Sequence, residues 1–143
     1  MNRTIGSAWP ALAPQLLSVL RITAAFMFIQ FGTMKLFAWP IGIPPDGSTA
    51  ELFSQMGLAG ILEVFGGILL LVGVFTRPVA FVLSGEMAVA YFQVSFPISP
   101  FWTIINNGAI AVLYCFVWLY FSAVGPGPWS IDAWLARRRQ PIR

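Results

Sequence analysis

The sequence has 143 residues, 58% of them hydrophobic and 9% charged, with eight basic and five acidic residues for a formal charge of +3. A water-soluble domain carries roughly 25% charged residues, so this chain lacks the polar surface to cover a globule in water, and its solvent is a bilayer. It has no histidine and a single cysteine, Cys115, which excludes an imidazole-ligated metal or haem, Ser-His-Asp or Cys-His catalysis and a C-x-x-C redox pair within this chain.

Four apolar stretches have the ~20 residues that a hydrocarbon core demands. The first covers residues 12–37. It is too long for a signal peptide, and the Ala-x-Ala at Ala11-Leu12-Ala13 precedes the apolar run instead of following it, so the segment is expected to stay in the mature protein. Arg21, Ala25, Phe28, Gly32 and Lys35 share one quadrant of this helix, with Gln30 opposite. Residues 39–56 form a longer loop, in which Pro40, Pro44-Pro45 and Asp46-Gly47 read as turns. There Ser48-Thr49-Ala50-Glu51 has the capping-box spacing of a short outer-loop helix.

The second span, residues 57–75, places Ala59, Gly60, Glu63, Gly66 and Gly67 on one face, a stripe along which helices can approach closely. Thr76-Arg77-Pro78 joins it to the third span, residues 78–96, so tightly that the two must be antiparallel neighbours. Glu86 and Gln93, seven apart, share a face of the third span. Asn107 and Tyr114 do so on the fourth, residues 102–123. After Gly125-Pro126-Gly127-Pro128, the segment 125–143 is expected to hold a short interfacial helix, with Ser130 as N-cap and Trp134 among the headgroups.

Orientation follows from Lys and Arg near the span ends. Arg3, Arg77, Arg137, Arg138, Arg139 and Arg143 fall on one side and Lys35 on the other, so both termini are expected in the cytoplasm. The arginine cluster reads as a topology anchor, with no nucleic-acid role. The fold class is an all-α membrane protein: one domain, 1–143, of four transmembrane helices in an antiparallel up-down bundle.

Charges within the spans are expensive in lipid and must be paired or face a wet cavity. Counting residues from the inner boundary puts Arg21 and Glu86 at roughly the same 10–12 Å depth, predicting a bundle-locking ion pair. Glu63, Lys35, Gln93, Asn106 and Asn107 fall near one depth in the outer half, beneath the loop. That collection of a carboxylate, an ammonium and amides predicts a ligand pocket. Ala80, Ser84 and Ala88 form a small-x-x-x-small face pointing away from Glu86, predicting the surface through which any homo-oligomer would form.

Several pieces together resemble the DoxX family of small membrane proteins, over residues 20–135. They are Leu20-Arg21 and Gly32-x-x-Lys35-Leu36, then Leu62-Glu63-x-x-Gly66-Gly67 running to Gly73-x-Phe75-Thr76-Arg77-Pro78. Asn106-Asn107-Gly108 and Gly125-Pro126-Gly127-x-Trp129-Ser130-Ile131-Asp132 follow. The chain departs from the common pattern at Phe31, where many members have His, and at Ile110, where many have Glu. The resemblance implies a four-helix membrane fold and an association with quinone-linked membrane oxidoreductase systems. The expected function is therefore an accessory subunit of a membrane redox complex in the bacterial cytoplasmic membrane, binding a quinone or lipid at the outer cluster. It has no redox or hydrolytic centre of its own, so electrons would be carried by a partner subunit or bound cofactor. The competing expectations are a non-enzymatic scaffold or assembly factor and, further behind, a small-molecule transporter.

Overall fold

A computed structural model describes residues 8–139; Arg3 and Arg143 of the orientation argument lie outside them. The described residues form five α-helices and one π-helical turn: α1 (Ala8–Phe37), α2 (Gln55–Val72), α3 (Thr76–Ala90) with the π-turn Tyr91–Ser95 continuing it, α4 (Ala109–Val124) and α5 (Ile131–Arg138). Three helical stretches are long and apolar enough to cross a membrane: Pro10–Phe37, Gln55–Val72 and Thr76–Ser95. The fourth apolar helix, α4, has 16 residues and reaches ~24 Å.

Local chemistry fixes the helix ends. Ser54 caps α2 by accepting the Gly57 N–H at 3.1 Å, and α2 ends where Gly73 turns left-handed, φ 74°, with its N–H on the Leu69 carbonyl. The α2–α3 connection is therefore Gly73-Val74-Phe75, and Pro78 falls within the first turn of α3, where its missing N–H costs no helical bond. Ser130 caps α5 by accepting the Ala133 N–H at 3.1 Å. On α5, the Arg138 guanidinium stacks 3.8 Å over the Trp134 ring.

Two expectations about local structure are corrected. No helix forms at Ser48–Glu51, because the Ser48 hydroxyl and N–H both donate to the Asp46 carboxylate, at 2.9 and 3.3 Å. Those bonds, the hydroxyl's first, hold the Asp46 carboxyl below its usual range. The Ala50 N–H donates to the Lys35 carbonyl at 2.7 Å instead, which ties the loop to the end of α1. The other correction is the start of α4, seven residues later than expected by sequence, since residues 102–108 fold as turns around Asn106.

The helices associate mainly as two pairs, α1 with α2 and α3 with α4, with a thinner seam between α2 and α3. Small residues make the first pair: a Cβ on Gly32 would stand 2.7 Å from the Gly60 carbonyl oxygen, and one on Gly67 would stand 2.6 Å from Ile29. The backbones touch where side chains would separate them. Large aromatics close the bundle between α1 and α4. Phe28 packs at 5.0 Å from Tyr114 and edge-on at 5.4 Å from Trp118, and the Tyr114 hydroxyl donates to the Ala24 carbonyl at 3.2 Å. Outward, Phe26, Phe65, Phe81, Phe92, Leu113 and Phe116 are exposed, as the surface of a helix in lipid is.

The face expected to drive oligomerisation is already used. Ala80 and Ser84 are buried, and the Ser84 hydroxyl donates to the Cys115 carbonyl at 2.8 Å, so α4 covers the small-residue stripe of α3 within the monomer. A stripe that admits a neighbouring helix took the one this chain supplies.

Candidate ligand cleft

Lys35, in the last turn of α1, reaches Glu63 on the glycine face of α2, and its ammonium lies 2.5 Å from Glu63 Oε1. This is the one ion pair among the described residues. The Glu63 side chain is 2% exposed and that of Lys35 17%, so the carboxylate is inside the protein while the ammonium keeps an open side. Glu63 Oε2 has no partner. Its position follows from the small residues around it, since Gly60, Gly66 and Gly67 let α1 and α3 close over the helix at that level.

Glu86 belongs to this group. Gly66 lies against Leu83, which brings Glu63, one turn before, level with Glu86, one turn after. The two carboxylate oxygens of Glu86 are buried without hydrogen-bond partners.

The expected Arg21–Glu86 ion pair is therefore corrected. Arg21 is fully buried at the opposite end of the bundle, its Nη2 donating to the Trp129 carbonyl at 2.6 Å and its Nη1 beside Gly73. Glu86 lies ten residues beyond Thr76, ~15 Å along α3. Depth counted from residue 12 misplaced Arg21, because Arg21 is level with Gly73 and the residues of α1 before it continue past the α2–α3 turn. The segment after α4 packs there: the Trp129 N–H donates to Ser18 Oγ at 3.2 Å, and a Cβ on Gly127 would meet that same oxygen.

A cleft of about 560 Å³ opens along the seam between α2 and α3. Leu58, Ala59, Leu62, Val89 and Val94 form apolar walls, Lys35 and Glu86 stand in its depth, and Ser54, Gln55 and Gln93 at the outer rim. The Gln55 side-chain amide donates to the Gln93 oxygen and bridges α2 to the π-turn. The π-turn places Gln93 and Val94 on this cleft and Tyr91 and Phe92 on a second, apolar one of about 360 Å³ against α4.

Of the expected pocket residues, the structure brings together Lys35, Glu63 and Gln93. Asn106 and Asn107 are elsewhere, which corrects their placement. Asn106 Nδ2 donates to the Ser99 carbonyl at 2.6 Å and its Oδ1 accepts the Gly108 N–H at 2.7 Å, so both halves of the amide shape the turn before α4. Asn107 is exposed with φ 54°, a left-handed turn position that Asn tolerates. Asn106 thus sits at the level of Ser99, against the turns that follow α3, and not with Lys35 and Glu63.

Sequence reasoning gave no role to Asp132. Its carboxylate accepts the Phe75 N–H at 3.0 Å and the Thr76 N–H at 2.9 Å, so α5 caps the N-terminus of α3, whose own N-cap residue, Phe75, has no side-chain oxygen to offer. Arg77 reciprocates at the end of α4, its Nη1 donating to the Ala123 carbonyl at 2.5 Å.

The sequence matches the DoxX family over residues 16–95, more than half of the chain. The chain belongs to the DoxX family. An uncharacterized protein of Haemophilus influenzae is 42% identical over 121 residues, covering 83% of this chain and 90% of the relative. No solved structure matches. The matched DoxX region holds α1 to α3 and with them Lys35, Glu63, Glu86 and Gln93, and its apolar helices make the chain an integral membrane protein.

Proposed function

We propose that this DoxX protein spans the membrane four times as an antiparallel bundle, termini inward, and binds an amphiphile, a quinone or lipid, in the α2–α3 cleft. In that reading it serves as an accessory subunit of a quinone-linked oxidoreductase system. The observation that carries the binding reading is the Lys35–Glu63 pair at the side of an apolar cleft, its ammonium partly open and two of its N–H groups free of Glu63. An ammonium already neutralised by a carboxylate suits a carbonyl or other neutral acceptor, and the walls suit a hydrocarbon or isoprenoid chain. Electrons would pass through the bound molecule or a partner subunit.

The pair itself favours a second reading, a lock between α1 and α2 in a membrane scaffold. Glu63→Gln keeps the size of the side chain and removes its charge. Lipid extraction and mass spectrometry of the purified variant should show a depleted quinone or lipid complement in a folded protein. A folded variant with its full complement and a lowered unfolding temperature would leave the scaffold reading.

A further inference from the structure

One face of α5 has no partner in this chain. Asp132 and Ala133 are half-buried on the side turned to the bundle, and the Asp132 N–H donates to the Gly73 carbonyl at 2.9 Å, fastening the helix to the α2–α3 turn. Ile131, Trp134, Leu135 and Arg138, three and four residues apart, form the opposite stripe. All four are exposed, as is Trp129 just before the helix.

That stripe sits where hydrocarbon gives way to head groups. α2 ends at Val72, α3 starts at Thr76, and Arg77 donates to the Ala123 and Val124 carbonyls at the end of α4, so three helices terminate at the level to which Asp132 ties α5. An apolar, tryptophan-bearing stripe at that level is covered by the boundary between acyl chains and head groups.

Charge then selects among lipids. Arg137, Arg138 and Arg139 are exposed, and no carboxylate among the described residues is in salt-bridge reach of them. Asp132, the acid of this helix, already holds two backbone N–H groups, and the exposed acids Asp46 and Glu51 lie in the loop at the other end of the bundle. Successive residues stand ~100° apart around a helix, so the three side chains fan over ~200° and meet several head groups, with no single phosphate held between them. Arg137 also reaches the Pro128 carbonyl, at 3.5 Å. Arg138 is held by its stacking over Trp134, which occupies a face of the guanidinium and leaves its N–H edges for a phosphate.

We propose that α5 is a docking surface for anionic phospholipid, which gathers head groups of the phosphatidylglycerol kind around the end of the bundle that holds the α2–α3 turn. This occupant is distinct from any molecule in the α2–α3 cleft, and the inference stands without the cleft reading.

The whole protein is placed in nanodiscs of equimolar phosphatidylglycerol and phosphatidylcholine with the same acyl chains, then released, and its retained lipids are counted by native mass spectrometry. The wild type should retain phosphatidylglycerol over phosphatidylcholine by about fivefold or more. The triple variant Arg137→Gln, Arg138→Gln, Arg139→Gln should bring that ratio near one at an unchanged unfolding temperature, because these side chains lie on the surface. Trp134→Leu, which keeps the stripe apolar and removes the ring under Arg138, should lower the ratio less. Raised salt on the unaltered protein should lower it as well, which tests the charge without any substitution. Equal retention of the two lipids by the wild type, a ratio indifferent to salt, or an unchanged ratio in the folded triple variant overturns the proposal. A fall in inorganic phosphate far beyond that in chloride of equal ionic strength would assign the surface to a soluble anion and overturn it too.

Discussion

The two ends of the bundle use charge in opposite ways. At the end that holds the α2–α3 turn, Asp132 and Arg77 spend their hydrogen-bonding capacity on the backbone: the carboxylate takes two N–H groups at the start of α3, and the guanidinium takes carbonyls at the end of α4. Arg21 joins them through the Trp129 carbonyl, although its Nε and Nη1 remain without partners. At the other end Lys35 and Glu63 meet each other instead of the backbone, and three buried carboxylate oxygens, Oε2 of Glu63 and both of Glu86, have no hydrogen-bond partner. Charges that tie helix ends together are consumed by the fold. Polar atoms left short of partners near a cavity are not.

Variants in the two regions should therefore separate stability from binding. The largest loss belongs to Lys35→Met, which strands the buried Glu63 carboxylate without its cation and should cost ~3–5 kcal/mol in chemical unfolding in micelles. Adding Glu63→Gln should recover much of that loss, because the stranded charge goes with it. Strict additivity of the two changes would mean that the pair contributes nothing as a pair.

Asp132→Ala comes next. Two backbone donors at the start of α3 lose a charged acceptor, which should cost ~2 kcal/mol. Unlike the outer variants, it should leave co-purifying lipid unchanged. Loss of that lipid in a folded Asp132→Ala protein would abolish the contrast between the two ends.

Ser54→Ala should have the smallest effect, ~1 kcal/mol, as the N-cap of α2 is lost at the rim of the cleft. Hydrogen exchange should show the loosening confined to the first turn of α2. Any extension to α4 would show that the rim and the far side of the bundle open together.

Much of the architecture was written in hydropathy and punctuation. Apolar runs gave the helical stretches, Ser130 its capping role, and the glycines around Glu63 the close α1–α2 contact. Depth along the membrane normal was legible in the same way for Lys35 and Glu63, which do meet. It was not legible where one helix slides relative to another: Arg21 and Glu86 lie at different levels because α1 overshoots the α2–α3 turn, an offset set by packing and not by any residue count. Nor does a residue count show which polar groups the turns consume, so Asn106, whose amide shapes the turn before α4, was grouped with charges it does not touch. Asp132 was hidden for a third reason, since a cap supplied from 56 residues away leaves no local spacing to read.

That distance also orders events during synthesis. A helix whose first turn depends on a carboxylate 56 residues downstream leaves the ribosome with its leading N–H groups bare, and they stay so until α4 has been made and the chain has turned back. A nascent chain arrested before Asp132 should thus carry the whole Lys35–Glu63 pair while the start of α3 is still frayed, and release of the C-terminal segment would be the step that locks that end of the bundle.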